Sequence, residues 1–191
     1  MSSVETSKVD LSSIDKSHRA NFHYDTEDPW QFYLPLKLEI NAPIDVVWKL
    51  CGIEYATFLG RVPGFSDCGY LGDDPTTKVG LSRTFTIMGL PGQEDLTVYD
   101  KKNHTLAYNL SKGPPPVLVV KGTPKNTWII KPVEGDPSKC VFEQTLQGKF
   151  TYLGWIMSPI SKRFIQWPSI EAIGHTVKFE AEKMYEKQGK K

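Results

Sequence analysis

The segment WQFYLPLKLEINAPIDVVWKLCG, residues 30–52, changes its period midway, and that change decides the fold. Phe32, Leu34, Leu36, Leu38 and Ile40 alternate with Gln31, Tyr33, Pro35, Lys37 and Glu39. A period of two marks a half-buried strand. Asn41-Ala42-Pro43 then punctuates the chain. Asn41 offers a helix cap, Pro43 suits a first helical turn, and Asp45 is placed for the positive end of the helix dipole. The predicted helix runs through Val46, Val47, Trp48 and Leu50 to Gly52. A second short helix, Glu54 to Leu59, fits before Pro63-Gly64.

Beyond Pro63-Gly64 the chain reads as six strands divided by turn signals. They are predicted at 65–71, 79–88, 95–99, 105–110, 117–131 and 140–152. Gly72-Asp73-Asp74-Pro75, Gly89-Leu90-Pro91-Gly92, Asp100-Lys101-Lys102-Asn103 and Lys112-Gly113 with three prolines supply breaks. Helical spacing then returns. Ile170, Ile173, Gly174, Val177, Ala181 and Met184 form one stripe, with Pro168 starting or kinking the helix. The order is one strand, two short helices, six strands and one long helix. It predicts an α+β domain, a curved seven-stranded antiparallel sheet wrapped around the C-terminal helix. One helix cannot fill the inner surface of such a sheet, so either side chains fill the gap or a cavity remains.

At 191 residues the chain suits a single domain. Residues 1–26 are Ser-rich and poor in large apolar residues, which predicts a flexible tail. The domain is expected at 27–188, with a basic tip at 189–191. Lys and Arg number 23 against 22 Asp and Glu, so a net charge of +1 gives no support to nucleic acid or an acidic membrane surface as partner. No apolar run nears the ~18 residues of a membrane span. Cys51, Cys68 and Cys140 form no CxxC pair and read as reduced thiols. With no leader-like segment at the N-terminus, cytoplasm is the expected compartment.

The order of elements resembles the helix-grip fold shared by the START, birch-pollen-allergen and polyketide-cyclase proteins of the SRPBCC superfamily. LEINAPIDVVWKL (38–50), VGLSRTF (79–85), EDLTVYDKKNHTLAYNL (94–110) and the closing helix carry the resemblance, which spans Leu36 to Glu186. Within it, VGLSRTFTIMGLPGQEDLTVYD (79–100) is similar to the gate-loop region of the plant abscisic-acid receptors, matching at Gly89, Leu90, Pro91, Glu94 and Leu96. The receptors' latch His-Arg-Leu is missing, with Pro114 to Leu118 in its place, and their carboxylate-binding lysine has no counterpart near Phe65 to Asp67. The resemblance therefore implies a lid over a cavity and no particular ligand.

Arg83 shares strand parity with Leu81, Phe85 and Ile87, which places it inward. An inward guanidinium needs partners. Glu94 and Glu143 are the expected mates, on strands that the resemblance puts near the cavity. The planar fork then suits a carboxylate, enolate or phenolate of a ligand. The alternative is an edge arginine whose head reaches water. Tyr108, in parity with Leu106 and Leu110, and Asn126, in parity with Trp128 and Ile130, would set a polar spot in an oily pocket, or else belong to an ordinary core. Leu90 and Pro91, with Pro115, Pro116 and Val117, are expected at the mouth as hinged loops or plain turns. Ile170, Ile173, Gly174 and Val177 are expected to floor the cavity. Gly174 costs about 1 kcal/mol against alanine in a helix, which implies close approach of something to it.

The histidines suit no catalytic arrangement: His18 and His23 lie in the tail, His104 in a turn, and His175 is expected to point away from the buried stripe. No HExxH, P-loop or GxGxxG is present, and Asp73-Asp74 reads as a solvated turn. No cofactor and no metal are expected. Three functions follow. The first is storage or transfer of a hydrophobic small molecule, a lipid, isoprenoid, polyketide or phenolic. The second is a cofactor-independent cyclase, aromatase or dehydratase, in which Arg83 stabilises enolate charge and Tyr108 or Glu143 relays a proton. The third is a regulatory partner whose closed lid faces another protein. The expected ligand contacts are Arg83, Phe85, Ile87, Leu90, Pro91, Glu94, Tyr108, Leu110, Asn126, Trp128 and Glu143, with the four helix residues.

Overall fold

A computed structural model describes residues 20, 22–74, 76–87, 89–113, 120–157, 159–160, 162 and 170–189. The alternation after Trp30 becomes strand β2, Gln31–Ile40, and its five apolar positions are buried. Ahead of it, a two-residue strand β1, His23–Tyr24, pairs with β2 through His23↔Tyr33 and Tyr24↔Phe32. The sheet thus has eight strands where the sequence suggests seven, and contacts with the domain begin before residue 27. Phe22 lies 5.3 Å from Phe32 and 6.1 Å from Phe150, and the buried Ala20 donates its N–H to Glu171 at 3.2 Å. Two residues are too few to show a period, and this strand exists only because β2 offers an edge to pair with.

Helix α1, Ile44–Trp48, continues into a π turn, Lys49–Ile53, then α2, Tyr55–Phe58, and a 3-10 turn, Leu59–Arg61. Asn41 does not cap α1. Pro43 takes that position, and Asn41 gives its backbone and side-chain N–H groups to Glu182 at 2.9 and 3.0 Å. The remaining strands are β3, Phe65–Leu71, β4, Ser82–Ile87, β5, Leu90–Asp100, β6, Thr105–Lys112, β7, Val120–Val133 and β8, Asp136–Phe150. All pairings are antiparallel, in the order β1-β2-β8-β7-β6-β5-β4-β3. Strand β8 stops at Phe150, short of the expected end. Thr151 accepts a hydrogen bond from the Gly154 N–H at 3.1 Å and so caps a short helix α3, Tyr152–Ile156.

The long C-terminal helix α4 is Ala172–Gly189. Ile173, Val177 and Ala181 are buried in the main core, with α1, α2 and the inner faces of β4 to β8. A second cluster joins Phe32, Leu34, Leu36 and Leu38 to Leu146, Phe150 and Ile170. The first turns of α4 are covered on every side, so His175 is buried, contrary to the stripe expectation. A stripe presumes one covered side, and here there are several. Gly174 sits hard against β2: a Cβ there would meet Leu36 Cδ2 at 2.4 Å and Leu38 Cδ1 at 3.4 Å. The sheet itself is what approaches this glycine. Gly174→Ala is expected to lower stability by about 1–2 kcal/mol in urea unfolding, because overpacking outweighs the helix-propensity gain of about 1 kcal/mol. A stability gain would mean that Leu36 swings aside.

Candidate functional site

Strand β4 reads SRTFTI, with Arg83, Phe85 and Ile87 buried and Ser82, Thr84 and Thr86 half-buried. Arg83 is 0% exposed. The β4–β5 register places Glu94 directly across from it. Arg83 Nε donates to Glu94 Oε2 at 2.7 Å, and its terminal nitrogen Nη2 lies 2.6 Å from the same oxygen. Nη1 donates to the backbone carbonyl of Tyr55 at 2.8 Å. Three rings enclose the cation: its Cζ lies 3.9 Å from the Tyr55 centroid, 4.7 Å from Tyr108 and 5.6 Å from Trp128. The charge is thus held by a carboxylate, a carbonyl and three π-faces.

The β6–β7 register sets Tyr108 opposite Asn126 and Leu106 opposite Trp128, so the apolar parity of both strands delivers these side chains to the interior. Trp128 meets Tyr108 edge-on at 5.4 Å, Phe142 at 5.7 Å, Phe58 at 6.3 Å and Tyr55 at 6.5 Å. Aromatic rings thus border the guanidinium on three sides. The hydroxyls of Tyr55 and Tyr108, both beside the Arg83 guanidinium, and the indole N–H of Trp128 are buried there, and none of the three donates to an acceptor among the described residues.

Burial, reinforced by Glu94 and opposed in part by Arg83, holds the Tyr108 hydroxyl well above the ordinary phenol range. Burial likewise raises Tyr55. Both hydroxyls therefore keep their protons and have an O–H to donate. Desolvation alone would lower Arg83, but Glu94 and the tyrosines hold it above its usual value, so it remains a cation. Burial pushes the Glu94 carboxyl up, and the attraction of Arg83 does not cancel that. Among the described residues no three His, Cys, Asp or Glu side chains are grouped to hold a metal ion. Cys51 and Cys140 are buried free thiols, and burial pushes Cys140 up to about 12.

Two expectations are corrected. Glu143 lies on the outer face of the sheet. Its neighbours Phe142 and Gln144 take the inward parity, and Glu143 instead pairs with Lys37 at 3.6 Å and with Lys131. Its charge is satisfied at the surface without facing the interior. Leu90 and Pro91 are strand residues and not loop residues. They belong to β5, opposite Ile87 and Thr86, and are exposed. Next to Leu90, Gly89 has φ +79°, the positive φ that tight hairpin turns use. Pro115, Pro116 and Val117 lie outside the described residues.

Of the other expected contacts, Asn126, Ile173 and Val177 are buried in or beside the main core, Leu110 is half-buried against it, and Ile170 belongs to the second cluster. Phe85 lies over the backbone of Gly92, where a Cβ would meet its ring at 2.4 Å. Tyr55 was not singled out in the sequence, although it supplies both a carbonyl and the nearest ring. It stands in a four-residue helix, where no period reveals orientation. The one available signal is that an inward arginine has more donors than a single glutamate can accept.

No family model matches the chain, and no curated protein matches its sequence. Solved structures do match its fold. A norcoclaurine synthase point mutant from Thalictrum flavum, in complex with a transition-state analogue, superposes with a TM-score of 0.65 at 17% identity, covering 81% of this chain and 96% of that one. Major latex-like protein 151 from Panax ginseng gives 0.58 at 15% identity, over 82% and 98% of the two chains. The XoxI protein of Bacillus cereus gives 0.60 at 14% identity, over 80% and 96%. With its antiparallel sheet, paired short helices and long closing helix, the chain shares the helix-grip fold of these solved structures.

Proposed function

We propose that this chain binds a hydrophobic small molecule bearing a hydrogen-bond acceptor, held beside the Arg83–Glu94 pair. The observation that carries this reading is the group of three buried donors, Tyr55 O–H, Tyr108 O–H and Trp128 N–H, that find no acceptor among the described residues. Leaving such donors unpaired costs about 1–3 kcal/mol each, and an acceptor on a ligand relieves it. Phe85, Ile87 and Leu110 supply apolar wall. The ligand classes that fit are lipids, isoprenoids, polyketides and phenolics, kept for storage or transfer. A neighbour in fold, norcoclaurine synthase, has been solved with dopamine and hydroxybenzaldehyde, both ring compounds with polar substituents. The catalytic alternative is weaker, because Glu143, one of its two proton relays, is an outer-face residue paired with lysines.

Native mass spectrometry of the chain purified gently from its source tests the reading, with a retained small molecule as the expected result. Tyr108→Phe is expected to weaken that ligand about fivefold to tenfold, the value of one hydrogen bond. Its circular dichroism should match the parent's. If nothing co-purifies and no compound of the four classes raises the melting temperature, the binding reading fails.

A further inference from the structure

The segment after β8 carries an apolar stripe that faces away from the core. Leu153, Ile156, Met157 and Ile160 stand at the i, i+3, i+4, i+7 spacing that ordinarily marks a core-facing helix. With Tyr152 and Trp155 they are 40 to 71% exposed, and the one buried residue of α3 is Gly154. The described backbone of the segment is hydrogen-bonded. Beyond the Thr151 cap, the Trp155 N–H donates to the Thr151 carbonyl at 2.9 Å, Met157 to Leu153 at 2.9 Å, and Ile160 to Met157 at 3.0 Å. Trp30 lies 5.5 Å from Trp155 and 6.1 Å from Tyr152, so aromatic rings border the aliphatic stripe.

The charges around this patch have one sign along the sequence. From Gln144 to Ile170 there is no Asp or Glu, while Lys149, Lys162 and Arg163 are basic. Lys149 is engaged by Asp28. The Lys162 ammonium lies 4.9 Å from the Tyr24 ring and 5.7 Å from Phe22. It enters no ion pair among the described residues. Asp25, Glu27 and Asp28 follow Tyr24 in sequence and limit the net positive charge at this end.

We infer that α3, with Trp30 and Lys162, is a docking site for a lipid bilayer surface containing anionic lipid. Tyr and Trp favour the headgroup level, aliphatic side chains enter the acyl boundary, and an unpaired lysine meets anionic headgroups. Apolar insertion supplies most of the affinity, because the chain as a whole carries only +1. The inference is independent of the ligand-binding reading, since none of these residues lies at the Arg83 site.

Cosedimentation of the full chain tests it, using vesicles of phosphatidylcholine alone and with about one third phosphatidylserine. The chain is expected to pellet with both, about threefold more strongly with the anionic vesicles. The triple variant Trp155→Ser, Ile156→Ser, Ile160→Ser is expected to bind about tenfold or more weakly. Lys162→Gln is expected to remove only the anionic preference. Thermal melts check folding, and Ile156→Ser alone replaces the triple variant if that variant does not fold. Parent chain left in the supernatant with both vesicles, or a folded variant that pellets equally, overturns the inference. So does concentration-dependent self-association that the triple variant abolishes without any vesicle binding, which would assign the patch to a second copy.

Discussion

Arg83→Met is expected to cost about 3–5 kcal/mol of stability, because it strands a buried carboxylate. Glu94 is buried, and the guanidinium is the only cation in contact with it among the described residues. The loss should depend on pH in a definite sense. A carboxyl whose value is raised in the fold contributes stability fully below its unfolded value, here near 4.5, and loses that contribution as pH rises through the folded value. Glu94 is already raised by burial, and without Arg83 it rises further. The penalty should therefore be small below pH 4.5 and grow toward neutrality, as read from urea midpoints across pH. The double variant Arg83→Met, Glu94→Leu is expected to recover most of the loss, since two apolar side chains replace a whole pair instead of half of one. A pH-independent loss, or a double variant no better than the single one, would show that the guanidinium acts by packing against its rings and not by charge.

Trp128→Ala is expected to cost about 3–5 kcal/mol in the same measurement. The indole is 1% exposed and touches Tyr55, Phe58, Tyr108 and Phe142, and it forms one face of the cage around Arg83. Its removal leaves an apolar hole lined by rings that cannot all shift at once, because Tyr55 is tied through its carbonyl to Arg83. Added indole is expected to raise the melting temperature of the variant and not that of the parent. A loss below about 1 kcal/mol would mean that the neighbouring rings collapse into the space.

The two experiments bear on one physical question, how a full charge is accommodated in the aromatic centre of this fold. Part of the answer is legible in the sequence. Parity along Leu81, Arg83, Phe85 and Ile87 turns the guanidinium inward, and the same rule turns Tyr108, Asn126 and Trp128 inward on their strands. Parity also assigns Glu143 to the outer face, out of phase with the buried Phe142 and Gln144, whatever number of acceptors Arg83 needs. Tyr55 was not legible, since a four-residue helix beside a π turn has no period from which to read a direction. The Gly-Leu-Pro segment reads as a loop from its residue types, yet the β4–β5 register pairs Leu90 and Pro91 into a strand, and register is a property of two strands.

Local periodicity was sufficient for the α+β class, the order of the longer elements and the inner faces of β2, β4 and β7, because side chains alternate along a regular strand. Tertiary structure decided what distance along the chain conceals. It joined β1 to the edge of β2, wrapped the first turns of α4 so that His175 is buried, pressed Gly174 against Leu36, and brought Tyr55 to the guanidinium of Arg83. It also left the stripe on α3 facing outward, where the same spacing elsewhere would mean core. A pattern states which side chains share a face, and only the packing of the whole chain determines whether anything covers it.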